Sequence, residues 1–369
     1  MRWCQNGSCM NTSVTLCLRE IDELFRPFVH RKLPLCSRVV MAPLPRLYAQ
    51  NGVPTPEMLV YYRRRAEHLL GLIITEPVAV NDPAAASDEG MAHFYGGAAL
   101  RAWKRICRAV HTTPCRLAPQ LCHMGMLRPC SENEAPPIGP SGIDPYTREI
   151  RGESMSRERI GEVVKAFAQA AADARTLGFD AVEVCGGQGG LIDQFLRPET
   201  NQRGDEYGGD LRGRTRFACE VLHAVRKAVG RKFPVIFRFS QTLPGMLTPR
   251  LVHTPAELQE LLEPLCAAGV DIFACDPVNR EEGAAFSGSA LGLAGWVRLL
   301  TGRTVIASGG IGLQSGSILP LVKRMATHEF DLVGVGRALL ADAEWARKLH
   351  DARDAEILPF TKRAWARLF

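Results

Sequence analysis

An eightfold alternation of short apolar runs with longer segments of helical period is the feature that most constrains how this chain folds. Parallel strands need long crossover connections, usually helices, so this alternation is typical of βα units. Eight units in 369 residues leave about 46 residues each, which suits a barrel with long loops better than a doubly wound sheet. We predict an α/β fold, a single-domain (β/α)8 TIM barrel, with strands at Arg38–Ala42, Leu72–Thr75, Arg116–Gln120, Ala181–Cys185, Val235–Phe239, Ile272–Cys275, Thr304–Ser308 and Leu332–Val335.

The same pattern predicts the domain organisation. Residues 21–350 form the barrel, residues 1–20 an N-terminal extension that we expect to be disordered, and residues 351–369 a C-terminal tail. No apolar run approaches the ~18 residues that a membrane helix needs. Near the start, Val14–Leu18 is the longest apolar stretch, shorter than the core of a secretory signal. We therefore expect a cytoplasmic protein without a membrane partner.

Charge and cysteine usage exclude several classes of partner. The chain carries 45 Lys and Arg against 39 Asp and Glu, and its longest block of like charge is Arg63–Arg65, which favours a solvated helix face over a nucleic-acid patch. The 12 cysteines are scattered without repeated Cys-x-x-Cys pairs, so no metal site is predicted. The expected partner is a small-molecule substrate, and a homo-oligomer is compatible with the sequence.

Two glycine-rich segments follow the last two predicted strands. Ser308–Gly312 follows strand seven, and Gly334–Arg337 ends strand eight. Barrels of this class bind phosphate at these two positions, where glycines let backbone N–H groups approach and an arginine adds a charged donor. Gly309, Gly310, Gly336 and Arg337 are therefore candidate phosphate ligands. Tight βα turns without a ligand are the alternative.

Two polar residues end otherwise apolar strands. Gln120 closes strand three and Arg238 lies near the end of strand five, which places an amide and a guanidinium in the mouth of the barrel. A planar heteroaromatic ligand with several acceptor atoms would satisfy both groups. An internal salt bridge for Arg238 and a backbone-capping role for Gln120 are equally good interpretations at this stage.

A family resemblance rests on four segments at or after strands one to four: Met41–Leu44, Gly71–Glu76, Pro119–Gly125 and Leu191–Leu196. Together with the two glycine-rich segments they resemble the old yellow enzyme family of FMN-dependent NAD(P)H:flavin oxidoreductases, from about Leu24 to Trp345. The resemblance implies FMN as cofactor and NADPH or NADH as electron donor. It places Ala42 and Pro43 along the isoalloxazine, Gln120 at its pyrimidine edge and Arg238 near N1 and O2, and Gly309, Gly310, Gly336 and Arg337 at the phosphate.

The segment after strand four departs from that family. The family has two residues there that bind the substrate carbonyl and a tyrosine that supplies a proton, whereas this chain has Cys185, Gln188 and Gly190. Glycine carries no titratable group, so the usual general acid is missing. Pro45 and Pro77 also stand where the family has residues that meet the flavin, and proline has no N–H to donate. Cys185 is interpreted either as an inert buried thiol or as a proton donor or nucleophile.

Two functional hypotheses follow. The first is an FMN-dependent oxidoreductase of old yellow enzyme type, acting on an activated alkene or enone-like small molecule with a non-standard proton donor. Cys185 and Gln188 occupy its substrate-anchor positions. The alternative is a diverged barrel that has lost ene-reductase chemistry and serves as an FMN-binding or scaffold protein, or as an isomerase or dehydrogenase in a biosynthetic pathway.

Overall fold

Eight parallel strands close into one barrel in chain order. The computed structural model describes residues 20–31, 33–130, 135–276, 284–313 and 318–368. Each strand pairs with its sequence neighbours, and the last pairs with the first. The (β/α)8 barrel predicted from the sequence is thereby confirmed. The barrel strands are β1 (Val39–Met41), β2 (Leu72–Ala79), β3 (Arg116–Cys122), β4 (Val182–Cys185), β5 (Val235–Ser240), β6 (Ile272–Asp276), β7 (Thr304–Ser308) and β8 (Leu332–Val335).

Helices cover the outside of the barrel between successive strands. Their ends follow local capping chemistry: the Ser156 hydroxyl accepts a hydrogen bond from the Arg159 N–H at one helix start, and Gly178 ends that helix at a φ of 94°. The helices are α1 (Pro56–Ala66), α2 (Gly97–Val110), α3 (Arg157–Leu177), α4 (Leu191–Leu196), α5 (Leu211–Val229), α6 (Pro255–Ala268), α7 (Leu293–Thr301), α8 (Ile318–Ala326), α9 (Arg337–Ala341) and α10 (Trp345–His350). Within the described part of the chain, no helix is both long and apolar enough to span a bilayer.

A short hairpin packs against the barrel interior. Phe28–His30 pairs antiparallel with Leu33–Leu35. Leu33 and Leu35 are buried in one cluster with inward-facing strand residues. These include residues at or near the start of four strands: Leu72, Ala118, Ile272 and Leu332. The interior is therefore filled with side chains from this end, and the open space lies at the carboxyl ends of the strands.

The observed strands differ from the predicted ones mainly at their carboxyl ends. The second strand was predicted to end at Thr75, yet it continues to Ala79 with a register shift between Ile74 and Pro77. A β-bulge at this shift accommodates Pro77, which has no N–H to donate to the hydrogen bonds between the strands. The sixth strand extends one residue beyond its predicted end, to Asp276. Both extensions add residues to the face where a barrel site forms.

The C-terminal segment packs against the loop that follows β1. The Tyr48 hydroxyl donates to the carbonyl of Ala366 at 2.9 Å, and the Arg46 guanidinium donates to the carbonyls of Trp365 and Arg367. Leu368 is buried. Residues 351–368 therefore lie against the barrel near the carboxyl ends of its strands, while the predicted N-terminal extension falls outside the described residues apart from its last residue.

Candidate active site

One cavity of about 490 Å³ opens at the carboxyl ends of the barrel strands. It collects every residue that the sequence analysis singled out for cofactor or substrate. These are Ala42, Pro43, Gln120, Cys185, Gln188, Gly190, Arg238, Gly309, Gly310, Gly336 and Arg337. They come from six different strand ends, and only barrel closure brings them together.

A buried carboxylate that the sequence analysis did not single out holds two of these residues in place. Glu183, on β4, is fully buried. One of its carboxylate oxygens accepts hydrogen bonds from the Gln120 amide at 2.8 Å and from Arg238 Nε at 2.9 Å, and the other accepts from Arg238 Nη2 at 3.3 Å. Register alignment explains the meeting, because Gln120 pairs with Glu183 across β3 and β4. The sequence feature that could have identified Glu183 is an acidic residue in the middle of a predicted apolar strand.

Arg238 has a second acidic partner on the cavity wall. Its Nη1 lies 2.8 Å from Asp276 Oδ1 and 3.3 Å from the Ser308 hydroxyl. Burial disfavours the charged guanidinium, but Glu183 and Asp276 outweigh this effect and raise the pKa of Arg238. Burial raises the pKa of Glu183, and the neighbouring guanidinium opposes that rise. Arg238 thus forms the internal salt bridge and lines the cavity at once, so the two interpretations are compatible.

The glycine-rich loops after β7 and β8 line one part of the cavity. Gly309 has a φ of 119° and Gly310 a φ of 67°, both in the region that favours glycine. A Cβ added to Gly336 would meet only the Leu44 side chain, at 3.5 Å, so glycine leaves that space to the cavity. Arg337 begins α9, and its guanidinium lies 5.8 Å from the Phe360 ring centroid.

The donor set and the shape of this region fit a flavin mononucleotide. Apolar Ala42, Pro43 and Pro45 form a surface on which a planar ring system could lie. Gln120 and Arg238 contribute polar groups to the lining, and the two glycine loops with Arg337 lie at β7 and β8. The residues present therefore match a ligand with a flat heteroaromatic part and a phosphate.

The β4–α4 turn forms the wall where the family places its substrate-binding residues. Gln188 has a φ of 60°, and its side-chain amide donates to Asp276 Oδ2 at 2.6 Å and to the Ser240 hydroxyl at 3.3 Å. Gly189 donates its N–H to Asp193, which is paired with Arg197 in the interior. A buried ion pair therefore fixes the turn that carries Gln188 and Gly190.

Two thiols face the cavity from adjacent strands. Cys122 ends β3 and Cys185 ends β4, and both are buried cavity-lining residues. The Cys185 thiol donates weakly to the carbonyl of Gly187 at 3.6 Å. Burial, with a smaller contribution from Cys185, raises the pKa of Cys122 well above its usual range. Cys122 is therefore held as a protonated group rather than as an activated nucleophile.

The described cavity lining contains neither tyrosine nor histidine. His123, three residues beyond Gln120, is buried and points to Asp82, 3.2 Å from Nε2, and its Nδ1 accepts from the Gly125 N–H. His123 therefore orients the loop after β3 and does not line the cavity. The titratable groups that do face the cavity, besides the two arginines, are Cys122, Cys185 and Asp276.

A buried glutamate holds the loop that carries Pro43 and Pro45. Glu76 Oε2 accepts hydrogen bonds from the N–H groups of Arg46 and Leu47, at 3.1 and 3.2 Å. Oε1 accepts from the Tyr62 hydroxyl at 3.2 Å. Burial raises the pKa of Glu76 to about 7. The loop beside the cavity is therefore anchored by a group that titrates near neutral pH.

The amino-acid sequence of this chain is similar to those of known oxidoreductases. Residues 23–356 match the model of the NADH:flavin oxidoreductase / NADH oxidase family. A metal reductase of Desulforamulus reducens is 34% identical over 253 residues, which are 67% of this chain and 36% of that protein. An NADH oxidase of Thermoanaerobacter brockii is 29% identical over 336 residues, 88% of this chain and 50% of that protein. The chain thus spans about a third to a half of the length of these two relatives.

A solved structure agrees over nearly the whole chain. The old yellow enzyme from Pichia sp. AKU4542 superposes with a TM-score of 0.81 at 26% identity, covering 93% of this chain and 90% of that one. Its fold is therefore similar to the barrel described above.

Proposed function

The chain belongs to the NADH:flavin oxidoreductase / NADH oxidase family, and from that premise we propose that it is an FMN-dependent oxidoreductase of old yellow enzyme type. We propose that it takes electrons from NADH or NADPH and acts on an activated alkene or enone-like small molecule. The supporting observation is the single cavity that gathers the candidate flavin residues and the altered substrate wall. When bound, the flavin would supply two-electron hydride chemistry.

The residues of the cavity have distinct proposed roles. Ala42 and Pro43 support the ring system, Gln120 bonds its polar edge, and the loops of Gly309, Gly310 and Gly336 with Arg337 hold the phosphate. Arg238 places positive charge beside that polar edge, oriented by Glu183. A preorganised cation stabilises developing negative charge because it does not have to reorient during the reaction.

Proton delivery in this proposal comes from a non-standard group. Gly190 has no proton to give, and no tyrosine lies in the described lining. Cys185 is the titratable cavity-lining group nearest in sequence to that position, and its side chain is buried. A thiol hydrogen or solvent would then replace the phenol that the family uses.

A second candidate function rests on the altered residues of the cavity lining. The glycine at position 190 and the prolines at 45 and 77, all in the cavity lining, are what a barrel that binds FMN without ene-reductase chemistry would carry. Such a protein would act as an FMN-binding scaffold, or as an isomerase or dehydrogenase in a biosynthetic pathway.

The visible absorption spectrum tests the proposal. The protein is purified without added cofactor, then incubated with FMN and freed of excess by gel filtration. A retained stoichiometric flavin spectrum supports the oxidoreductase. A colourless protein that cannot be reconstituted with FMN would overturn it. Retained FMN that neither NADH nor NADPH reduces would favour the second candidate.

A further inference from the structure

We infer that the substrate wall of this cavity recognises a positively charged nitrogen group that donates hydrogen bonds, rather than a carbonyl oxygen that accepts them. The inference rests on the proposed function and names the class of substrate that its site selects. It derives from the direction of the hydrogen bonds among Gln188, Asp276 and Arg238.

The polar donors of this wall already have acceptors within the protein. The Gln188 amide nitrogen has two hydrogens, and it lies within bonding distance of Asp276 Oδ2, at 2.6 Å, and of the Ser240 hydroxyl, at 3.3 Å. The carboxylate determines the amide orientation, because an amide oxygen placed there would face another acceptor. The Cys185 thiol is directed to the carbonyl of Gly187. A substrate carbonyl would therefore have to break one of these bonds.

What remains at the wall is acceptor capacity and negative charge. Gln188 Oε1 accepts no hydrogen bond from the described residues, and the Gln188 side chain is exposed at the cavity. The Asp276 carboxylate has further lone pairs, and its side chain is 19% exposed. Arg238 is held by Glu183 in a two-bond pair. The carboxylates of Glu183 and Asp276 thus surround the single guanidinium of Arg238. The cluster has one negative charge in excess, and Asp276 carries it.

An aromatic ring on the same cavity points to the same ligand. Trp365, from the C-terminal segment, lines the cavity and is 39% exposed. Indole is the aromatic side chain that attracts cations most strongly. A conjugated iminium, an amidinium or a protonated amine would meet an acceptor, a carboxylate and a π face in one cavity. A protonated nitrogen also withdraws electrons from a conjugated alkene without any donor from the protein.

Two probes of nearly equal shape and opposite hydrogen-bond polarity test the inference. Benzamidine is a cationic donor, and benzoate is an anionic acceptor. Their dissociation constants are measured by isothermal titration calorimetry with the FMN-loaded protein, whose visible spectrum confirms cofactor occupancy. We expect benzamidine to bind at least about tenfold more tightly than benzoate, in line with charge complementarity. Equal affinities, or tighter binding of benzoate, would overturn the inference.

One variant and a matched control test whether Asp276 causes the preference for benzamidine over benzoate. Asp276→Asn should reduce the preference for benzamidine at least about fivefold, because the excess charge is removed. Asp173→Asn is the matched control: it alters an amide–carboxylate bond of 3.0 Å with Gln169 on α3, away from the cavity, and should leave both affinities unchanged. An unaltered preference in Asp276→Asn would contradict the inference.

Gln188→Gly keeps the test decisive even if Asp276→Asn does not fold. Glycine suits the φ of 60° at this position, so the side chain is removed without backbone strain. Benzoate affinity should not fall, since the lost amide hydrogens are already bound to protein. A fall of about fivefold or more would show that Gln188 serves as a donor to ligands and would overturn the inference. Failure of the proposed function is distinguished by loss of the flavin spectrum itself.

Discussion

The two halves of the cavity have diverged to different degrees. The half at the ends of β1, β3, β5, β7 and β8 carries the residues that the family resemblance assigns to FMN. The half formed by the β4–α4 turn carries Cys185, Gln188 and Gly190 instead of the family's substrate-binding residues. The first half is built from five strand ends, whereas the second depends on one short turn. A barrel can therefore change its substrate wall by local substitution while most of the residues assigned to the cofactor are kept, Pro45 and Pro77 being the exceptions.

The two halves are also held in different ways. Glu183 links Gln120 to Arg238 deep in the barrel, so the cofactor half shares one buried network. The turn is fixed from behind by Asp193 and Arg197, which do not line the cavity.

Arg238→Met should break the cofactor half. It leaves the Glu183 carboxylate buried beside an apolar side chain, and removing one partner of a buried ion pair costs about 3–5 kcal/mol. The free energy of unfolding in urea measures this loss, and flavin retention should fall with it. Arg63→Met, in an exposed pair with Glu67 at 3.0 Å, should cost less than about 1 kcal/mol. Equal losses in the two variants would contradict the assigned network.

Glu76, which anchors the loop after β1, should make the free energy of unfolding depend on pH. Because burial raises the pKa of Glu76 from 4.5 to about 7, its stabilising contribution is present below pH 4.5 and is lost as pH rises through 7. The difference in unfolding free energy between the unmodified protein and Glu76→Gln should fall by about 3 kcal/mol across this window. Urea unfolding at several pH values measures it. Glu67→Gln, at an exposed site, is the control variant. A flat difference for Glu76→Gln would refute the assignment.

Gly190→Tyr should bring the substrate half closer to the family pattern. The backbone at Gly190 has a φ of −66°, which any residue adopts, and an added Cβ would lie 3.3 Å from the His123 carbonyl oxygen. A movement of a few tenths of an ångström would make room for the Cβ. General acids contribute about 10²–10⁴-fold in rate, so even an imperfectly placed phenol should raise turnover of 2-cyclohexenone by at least about tenfold. Gly190→Phe is the control without the acidic hydroxyl. Identical turnover in both variants would mean that the phenol is not used.

Gly309→Ala should weaken the phosphate end without unfolding the barrel. A φ of 119° is unfavourable for alanine, so the loop must shift away from its present conformation. We expect FMN to dissociate about tenfold more readily, measured by equilibrium titration of flavin fluorescence. Gly204→Ala, where an added Cβ meets nothing within 4 Å, should retain FMN normally. Unchanged FMN affinity in Gly309→Ala would remove this loop from the cofactor half.

The fold and part of the cavity lining follow from sequence patterns, whereas Asp276, Trp365 and the hydrogen-bond network inside the cavity do not. Apolar strands with polar ends identify Gln120 and Arg238 as cavity residues because strand polarity is local. The role of Glu183 could not be predicted because its hydrogen-bond partners come from other strands. The register that brings these strands together is set only when the barrel closes. Asp276 lies one residue beyond the predicted end of its strand. Trp365 reaches the cavity through contacts of its segment with Arg46 and Tyr48, more than 300 residues away in sequence.

We propose that a cofactor half able to bind FMN, despite Pro45 and Pro77, lies beside an altered substrate half. Anaerobic stopped-flow spectroscopy of the FMN-loaded protein tests it in two steps, first with NADH or NADPH and then with 2-cyclohexenone. The account predicts rapid bleaching of the flavin absorption, followed by reoxidation that is slow in the unmodified protein and at least about tenfold faster in Gly190→Tyr. Bound flavin that neither nucleotide bleaches, or reoxidation by the enone that is equally fast in both proteins, would contradict it.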